Sequence, residues 1–312
     1  MSQTGKRNVW ILGGTGFIGQ ALVSFLSKKK ENNLHLLLHK NAPYQNLEPY
    51  NTIMGELGSF EPFWFERYPP DIIFHLARPA GSNYFSRYLK AFKGEQANRR
   101  LADAMLHLEK KPVVVYVSGS LMYGERKAHE PAREDSPLNP YAFARHYIRN
   151  EKPWIEMQQK QLLDVRFARP GWIVGAGSWF ESFFWNHYLQ TGKVPCYGTG
   201  EHMMPLIHVD DCASMIDALS RYGGSGQNLN IFAGPILRHR DFCLILAELL
   251  RTTLDEIPFE KARARWGGTV AQALVSNVPM QTLYPEVHEK SYIRYPDPEA
   301  LLFAVVRQLK NV

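Results

Sequence analysis

Cysteine is scarce in this chain of 312 residues, and its three cysteines, Cys196, Cys212 and Cys243, stand far apart. They form no CxxC pair and no even-numbered framework of the kind that staples small secreted domains. We therefore expect free thiols and a reducing, cytoplasmic location. Long hydrophobic runs are also missing, since no stretch approaches the ~18 apolar residues of a membrane-spanning helix. Glycines interrupt the apolar run near the amino terminus too soon for a signal peptide.

Several catalytic and metal-binding patterns are absent as well. There is no HExxH motif and no paired Cys/His set, and His202, His208 and His239 share no metal-ligand spacing. The sequence therefore predicts no metal site. No G-x-S-x-G elbow supports a hydrolase.

A large charge surplus is absent too. The chain has 36 Lys and Arg against 30 Asp and Glu, and the net charge of +6 is scattered apart from residues 28–30, Arg99 and Arg100. These short runs fit solvated helix ends better than a nucleic-acid face, so no nucleic-acid partner is predicted. What the chain does have in excess is aromatic residues, which make up 12% of it.

Hydrophobic patterning in the first half alternates short apolar runs with longer amphipathic segments, which indicates βαβ units and a parallel sheet. Strands are predicted at residues 8–12, 34–38, 71–76, 112–117 and 164–168, and helices at 17–30, 83–110 and 141–161. Beyond residue 177 the alternation becomes irregular, with helices predicted at 180–190, 210–222 and 241–251. We expect an α/β fold with a doubly wound parallel sheet over residues 1–170. A smaller α+β, mainly substrate-binding portion follows over 171–312, of which residues 205–235 return to the sheet.

A glycine-rich turn, GGTGFIG at residues 13–19, lies between the first strand and the first helix. Glycine suits a turn with positive φ and a close approach of the backbone to a pyrophosphate, and the helix amino terminus attracts that anion. This context predicts a dinucleotide site at Gly13, Gly16, Phe17, Ile18 and Gly19.

The tip of the second strand, where the ribose of a dinucleotide is recognised, carries His39 and Lys40 and no carboxylate. A carboxylate there would bind a ribose 2′-hydroxyl, whereas basic residues accommodate a 2′-phosphate. The sequence thus favours NADP(H) slightly over NAD(H).

Six further blocks resemble the extended short-chain dehydrogenases/reductases, also called the NAD-dependent epimerase/dehydratase family. They are MGEL at 54–57, HLA at 75–77, SGSLMYG at 118–124, NPYAFAR at 139–145, RPGWIVG at 169–175 and IHVDD at 207–211. The resemblance extends to about residue 234, and it implies a Rossmann-type fold that binds a nicotinamide dinucleotide. The cofactor-binding positions that it implies, besides the glycine turn, are Glu56, Leu57, Leu76, Ala77, Asn98, Val117, Tyr141, Arg145 and Pro170.

Catalysis in this family uses a Tyr that exchanges a proton with the substrate oxygen, a Lys four residues later, and a Ser or Thr that orients the oxygen. The match places Tyr141 at the Tyr position, but Arg145 stands at the Lys position. Arginine keeps the positive charge and cannot release a proton. The hydroxyl position is Gly119, so Ser118 or Ser120 is the candidate, with Ser120 favoured. The alternative is that Tyr141 packs against the cofactor without chemistry.

The substrate region departs from the family members that act on nucleotide sugars. Where they carry an Arg for the diphosphate, this chain has Met204, and nothing in the spacing requires Arg238 or Arg240 to replace it. Residues 179–188 instead hold six aromatic side chains, which suit an apolar or aromatic ligand. A packed helix or a dimer contact explains the same residues equally well. A second aromatic cluster, at residues 60–65, fits core or interface better.

The leading hypothesis is therefore an NAD(P)(H)-dependent oxidoreductase for a small, rather apolar carbonyl or hydroxyl compound. The alternatives are a nucleotide-sugar epimerase or dehydratase, and a catalytically impaired NADP(H)-binding sensor or binding protein. The resemblance further implies a homodimer through the two long helices predicted at 83–110 and 141–161.

Overall fold

The computed structural model describes residues 6–38, 50–78 and 84–311. Its strands are β1 (Arg7–Leu12), β2 (Asn32–Leu38), β3 (Asn51–Met54), β4 (Ile72–His75), β5 (Val113–Val117), β6 (Asp164–Pro170), β7 (Trp172–Val174), β8 (Val194–Tyr197), β9 (Met203–Met204), β10 (Leu206–His208), β11 (Asn228–Ile231), β12 (Leu237–Arg238) and β13 (Leu254–Ile257). Its helices are α1 (Phe17–Ser27), α2 (Phe63–Arg67), α3 (Tyr84–Leu106), α4 (Ile148–Gln159), α5 (Asn186–Thr191), α6 (Val209–Tyr222), α7 (His239–Leu250), α8 (Phe259–Trp266), α9 (Gly268–Leu274), α10 (Pro285–Glu289) and α11 (Pro298–Lys310). Across the described ranges, none of these helices combines the length and the apolar character that a bilayer crossing requires.

A seven-stranded parallel sheet runs through the molecule in the order β11-β6-β5-β4-β1-β2-β3. β1 lies between β2 and β4, so that Val9 is opposite both Leu34 and Ile72. Helices cover both faces of such a sheet, which is why residues 9–12 of β1 and 72–74 of β4 are apolar and buried. The strand order reverses beside β1, and ligands bind at the carboxyl ends of strands at such a switch point. The predicted doubly wound α/β fold is confirmed.

The helices form one layer on each face of the sheet. α1 and α6 pack together on one face, where Leu22 and Ile216 belong to the same buried cluster. α3 and α4 pack on the other face, where Leu101 and Trp154 are buried. The apolar stripe of each helix thus meets a sheet face that is itself apolar.

The carboxyl-terminal part builds a second core around α7 and α11, which contact each other and contain Phe242 and Leu302. β8 pairs in parallel with β13 beside that core. β11 returns to the main sheet and pairs with β6, with Leu229 opposite Ala168. The division of the chain at residues 170 and 171 itself stays a prediction.

The helix predicted over residues 141–161 is wrong over its first seven residues, since α4 begins at Ile148. Residues 142–147 form consecutive turns instead. The cause is tertiary: the amide of Tyr141 donates to the Leu121 carbonyl at 3.1 Å, and its hydroxyl is held by Glu125 and the Asn277 amide. These bonds outweigh the helical periodicity of the segment.

The aromatic cluster at residues 60–65 lies in the nucleotide half and is mostly core. Phe65 is fully buried and meets Trp10 edge-on with ring centres 5.1 Å apart. Phe60 contacts the same indole at 5.7 Å, whereas Phe63 is exposed. The preference for core packing agrees with this arrangement.

Candidate active site

The glycine turn is built so tightly that side chains do not fit. Gly13 has a φ of +92°, and a Cβ there would lie 2.7 Å from the Ala77 amide nitrogen. A Cβ on Gly19 would lie 2.1 Å from the carbonyl oxygen of Gly13. Glycine is therefore required at both positions for the turn to pass close to the end of β4.

The amino terminus of α1 opens directly from this turn. Gly16 is the residue before the helix, no side chain caps it, and no acidic residue stands in the first turn. The first amide groups and the positive end of the helix dipole are thus left for an anion. A dinucleotide pyrophosphate fits this cradle, because the glycines have no Cβ atoms to keep it from the backbone and the uncapped amides can donate hydrogen bonds to it.

A cavity of about 580 Å³ extends from the turn along the carboxyl ends of the sheet strands. The predicted site residues among its lining are Gly13, Gly16, Phe17, Ile18, Gly19, Leu76, Val117, Ser118, Ser120 and Pro170. Ala77 touches the site through its backbone, against Gly13. The structure thus brings most of the predicted cofactor positions together.

Other predicted cofactor residues lie elsewhere. Asn98 is buried and faces His75, with the His75 Nε2 2.8 Å from the Asn98 Oδ1. The side-chain amide of Asn98 donates to the Asn150 carbonyl at 2.8 Å. Glu56 and Leu57 lie beyond β3 and do not line the cavity. His39 and Lys40 are outside the described residues.

The predicted catalytic pair, Tyr141 and Arg145, is not brought into the cavity lining. The Tyr141 hydroxyl donates to the Glu125 carboxylate and accepts the Asn277 amide at 3.1 Å. Arg145 is exposed. The seven-residue shift of the helix start carries both side chains away from the glycine turn.

A different tyrosine occupies the cavity. Tyr147, the residue that precedes α4, lines it, and so does Glu151 one helical turn later. Arg78, which follows β4 and also lines the cavity, places its guanidinium carbon 4.3 Å from the centre of the Tyr147 ring. A tyrosine and a cation therefore meet in the site, although neither belongs to the predicted pair.

Glu151 joins a buried polar network at the floor of the cavity. Its carboxylate accepts the Ser118 hydroxyl and a guanidinium bond of 2.9 Å from Arg169. Arg169 also donates to the Ser118 oxygen at 3.0 Å. The two charged side chains are 2% and 3% exposed, so their opposite charges neutralise each other away from water.

Aromatic rings form one wall of the cavity: Phe143, Tyr147, Trp172 and Trp179. Neighbouring rings lie 5.2–6.1 Å apart, which is the range of edge-on aromatic pairs. The aromatic segment at residues 179–188 contributes mainly Trp179 to this wall. Phe180 and Phe184 turn inwards instead and pack on Phe242.

The helix predicted over residues 180–190 is a π-helical turn, Phe180–Trp185, followed by α5. The packed-helix interpretation therefore holds for the inward-facing Phe180 and Phe184, and the ligand interpretation concerns Trp179, which precedes the π-helical turn.

Met204 is buried on β9 against the His239 ring, with its sulfur 3.1 Å from Nδ1. Arg238 and Arg240, the two side chains considered as replacements for a diphosphate-binding arginine, form ion pairs with Asp241 and Glu256. Among the described lining residues, Arg78 is the only basic one.

The residues that sequence reasoning missed are Arg78, Tyr147 and Glu151, together with the aromatic residues Phe143 and Trp172. Tyr147 and Glu151 are four positions apart, the same spacing as Tyr141 and Arg145. That spacing could have indicated Tyr147 as a second candidate, but the proline-tyrosine pair at 140–141 matches the family pattern more closely.

A model of the NAD dependent epimerase/dehydratase family matches residues 9–231. The chain belongs to this family. The sequence prediction of an oxidoreductase/epimerase/dehydratase-like enzyme is confirmed at this level.

A curated relative, dTDP-D-glucose 4,6-dehydratase of Dictyostelium discoideum, is 25% identical over 258 residues, which cover 72% of this chain and 58% of that protein. The chain thus spans less than two thirds of that relative's length. Sequence likeness at this level does not transfer a substrate.

Solved structures of the same fold include a dTDP-glucose 4,6-dehydratase from Bacillus anthracis in complex with NAD, with a TM-score of 0.77, 17% identity and coverage of 98% of this chain and 97% of that one. A human epimerase family protein with NADPH has a TM-score of 0.76 and 18% identity, covering 96% and 99%. A UDP-glucuronic acid 4-epimerase from Bacillus cereus, in complex with UDP-glucuronic acid and NAD, has a TM-score of 0.76 and 16% identity, covering 97% and 99%. Together with the glycine cradle, the family supports a nicotinamide dinucleotide as the cofactor class.

Proposed function

We propose that this family member is an NAD(P)(H)-dependent oxidoreductase for a carbonyl or hydroxyl compound with an apolar or aromatic body, and that Tyr147 exchanges the proton at the substrate oxygen. The observation that carries the proposal is the position of Tyr147 in the cavity, beside Arg78 and the glycine turn. When bound, the nicotinamide dinucleotide accepts or supplies the hydride.

The other tyrosines near the site are poor proton donors and acceptors. Burial raises the pKa of Tyr116, which also lines the cavity. Burial, together with the hydrogen bond to Glu125, raises the pKa of Tyr141. Both phenols therefore stay protonated at neutral pH, and Tyr141 is better described as a structural residue.

Ser120 is the better candidate for orienting the substrate oxygen. Ser118 has only one hydroxyl proton, and it is directed at the Glu151 carboxylate. A substrate carbonyl would have to break that buried bond to receive it. Ser120 lines the same cavity at the start of a short 3₁₀ turn, so its hydroxyl is the one we assign to the substrate.

The cavity wall supports an apolar substrate. Six aromatic side chains line the cavity, and the one basic side chain among its described lining, Arg78, lies over Tyr147. A nucleotide sugar carries a diphosphate, which requires cations or several amide donors beyond those that a dinucleotide cofactor uses. The described lining therefore suits an aromatic ligand, which it can contact over a large area, better than a second diphosphate, for which it has one basic side chain.

NADP(H) remains the slightly favoured cofactor, because the sequence has the basic residues His39 and Lys40 and no carboxylate beside them.

A homodimer is proposed as well. Phe85, Tyr88, Leu89 and Phe92 form an exposed apolar stripe on α3, next to α4. A cytoplasmic location stays a prediction from the cysteine pattern.

The deciding experiment compares two conservative variants, Tyr147→Phe and Tyr141→Phe, on a carbonyl compound found by screening aromatic ketones and aldehydes for NADPH or NADH consumption. Removing a general acid costs about 10²–10⁴-fold in rate. We expect that loss in kcat for Tyr147→Phe, with cofactor affinity unchanged. Tyr141→Phe is expected to lower thermal stability and to keep most of the turnover. Equal turnover of Tyr147→Phe and the parent would rule the mechanism out.

The second candidate, a nucleotide-sugar epimerase or dehydratase, is favoured by the relatives, whose names specify dTDP-glucose and UDP-glucuronic acid. It predicts that a dTDP- or UDP-sugar raises the melting temperature of the cofactor complex and is converted without net cofactor consumption. A third possibility, a binding protein without turnover, predicts tight NADPH binding and no reaction in either screen.

A further inference from the structure

A second group of chemically active side chains lies in the carboxyl-terminal core, separate from the cavity. Cys196 on β8 and His239 and Cys243 on α7 are fully buried. Their ligand atoms, two thiol sulfurs and one imidazole nitrogen, all lie within 4.8 Å of one another. None of the three lines the dinucleotide cavity.

The fold assembles this group from distant parts of the chain. His239 and Cys243 are four residues apart on α7, so one helix face carries both. β8 packs against α7 and supplies Cys196. The spacing between Cys196 and the helix follows no metal-binding pattern, which explains why the sequence predicts no metal.

The imidazole of His239 is oriented as a metal ligand would be. Its Nε2 accepts the Tyr197 amide at 3.0 Å, so that nitrogen carries the lone pair, and the Cys243 sulfur lies 3.4 Å from it. The opposite nitrogen, Nδ1, faces the Met204 sulfur at 3.1 Å. Metal-binding histidines likewise have one nitrogen fixed by a partner, and Nε2 of His239 becomes available to an ion once the Tyr197 amide releases it.

We propose that Cys196, His239 and Cys243 form a buried three-donor site for a thiophilic d¹⁰ cation, with Zn²⁺ as the probe. Two thiolates and one imidazole are the donors that such ions select. Binding replaces two thiol protons, which leave to solvent, and two Zn–S bonds and one Zn–N bond form without any change of oxidation state. A dication with two thiolates is neutral overall, which suits a fully buried position.

Binding requires local rearrangement of two hydrogen bonds. The Cys243 thiol donates to the Pro195 carbonyl at 3.3 Å, and that proton is lost when the ion binds. The Tyr197 amide loses its imidazole acceptor, and the adjacent Cys196 thiolate is the nearest alternative acceptor along the chain. None of the three residues lines the cavity that contains Tyr147, so a structural role is expected and proton exchange at Tyr147 does not depend on the site.

The test is native mass spectrometry of the full chain, purified under reducing conditions and mixed with Zn²⁺. We expect one zinc per chain with the loss of two protons, and a rise in melting temperature that a chelator reverses. Co²⁺ in place of Zn²⁺ is expected to give sulfur-to-cobalt charge-transfer absorption. Cys196→Ser and Cys243→Ser should each abolish both signals. Cys212→Ser is the matched control, because Cys212 is also buried and free but lies on α6 in the other core.

Two outcomes would overturn the proposal. One is the absence of stoichiometric zinc in the folded parent. The other is a parent that never takes up metal and becomes two hydrogens lighter after mild oxidation. That mass would show that Cys196 and Cys243 form a disulfide. Should a serine variant fail to fold, the mass and cobalt absorption of the unmutated chain still decide the question. NADPH binding is measured alongside as a check of folding.

Discussion

The guanidinium carbon of Arg78 lies 4.3 Å from the centre of the Tyr147 ring, at the carboxyl end of β4 and the start of α4. In the family pattern the cation follows the tyrosine by four residues, but here that position is Glu151, whose charge is neutralised by Arg169. Among the described lining residues, Arg78 is thus the one basic side chain beside the proposed acid/base residue.

The first prediction concerns this charge. Arg78→Met should lower kcat about two- to fivefold, because Arg78 is exposed and an exposed cation–π contact is worth roughly 0.5–1 kcal/mol. Arg78→Lys keeps the charge and should recover part of the loss, whereas Arg145→Met, at an exposed position outside the cavity, should change kcat little. Steady-state kinetics on the compound found by screening measures all three. A larger effect of Arg145→Met than of Arg78→Met would return the catalytic role to the family positions.

The second prediction concerns the glycine cradle. A methyl group on Gly19 would lie 2.1 Å from the Gly13 carbonyl oxygen, so Gly19→Ala must push the turn apart. We expect a stability loss of about 1–3 kcal/mol and at least a tenfold weaker binding of NADPH and NADH, measured by cofactor fluorescence. Gly58→Ala is the control, because nothing lies within 4 Å of the Cβ it adds. Unchanged affinity in Gly19→Ala would place the pyrophosphate elsewhere.

The third prediction concerns the buried pair below the cavity. Glu151→Gln leaves the Arg169 charge uncompensated and should lower the free energy of unfolding by about 3–5 kcal/mol. The double variant Glu151→Gln/Arg169→Met removes both charges and should recover part of that loss. Urea unfolding of the parent, both single variants and the double variant gives the coupling. Strictly additive losses would mean that the two side chains do not stabilise each other.

The sequence predicted the sheet and the glycine turn because these depend on local patterns. Apolar strands next to amphipathic helices, and glycines between them, are visible residue by residue, and β1, α1 and β4 formed close to where they were expected. The second core could not be outlined in the same way, since β8 meets β13 only through long-range pairing.

The catalytic end was harder to predict because it depends on where one helix begins. The bonds from Tyr141 to Leu121, Glu125 and Asn277 span up to 136 residues, and no local pattern reveals them. They move the first turn of the helix, and with it the identity of the tyrosine in the cavity. Arg78 adjoins a block that was recognised, but its contact with Tyr147 joins residues that are far apart in sequence.

The fourth prediction concerns the exposed stripe on α3. Phe85 is 69% exposed, and Tyr88, Leu89 and Phe92 continue the same helix face. Arg149 of α4 lies over the Tyr88 and Phe92 rings, which makes the face continuous across both helices. Phe85→Glu should convert a dimer into a monomer in light-scattering measurements, while Phe303→Glu, at a position on α11 that is 55% exposed, should not. A monomeric parent would refute the proposed dimer.

The fifth prediction concerns acid stability and His75. Burial lowers the pKa of His75 to about 4, from an ordinary value of 6.5 in the unfolded chain. Between these values the unfolded chain binds a proton that the folded protein does not, so stability falls as the pH drops from about 6.5 to 4. The full loss from this one group is about 3 kcal/mol. His75→Gln cannot take up that proton and should therefore flatten the dependence. His35, whose pKa burial also lowers to about 4, remains in both proteins and cancels from the comparison. Urea unfolding at pH 7.5 and pH 5 measures the difference. Parallel stability curves for parent and variant would show that His75 binds a proton as readily in the folded protein as in the unfolded chain.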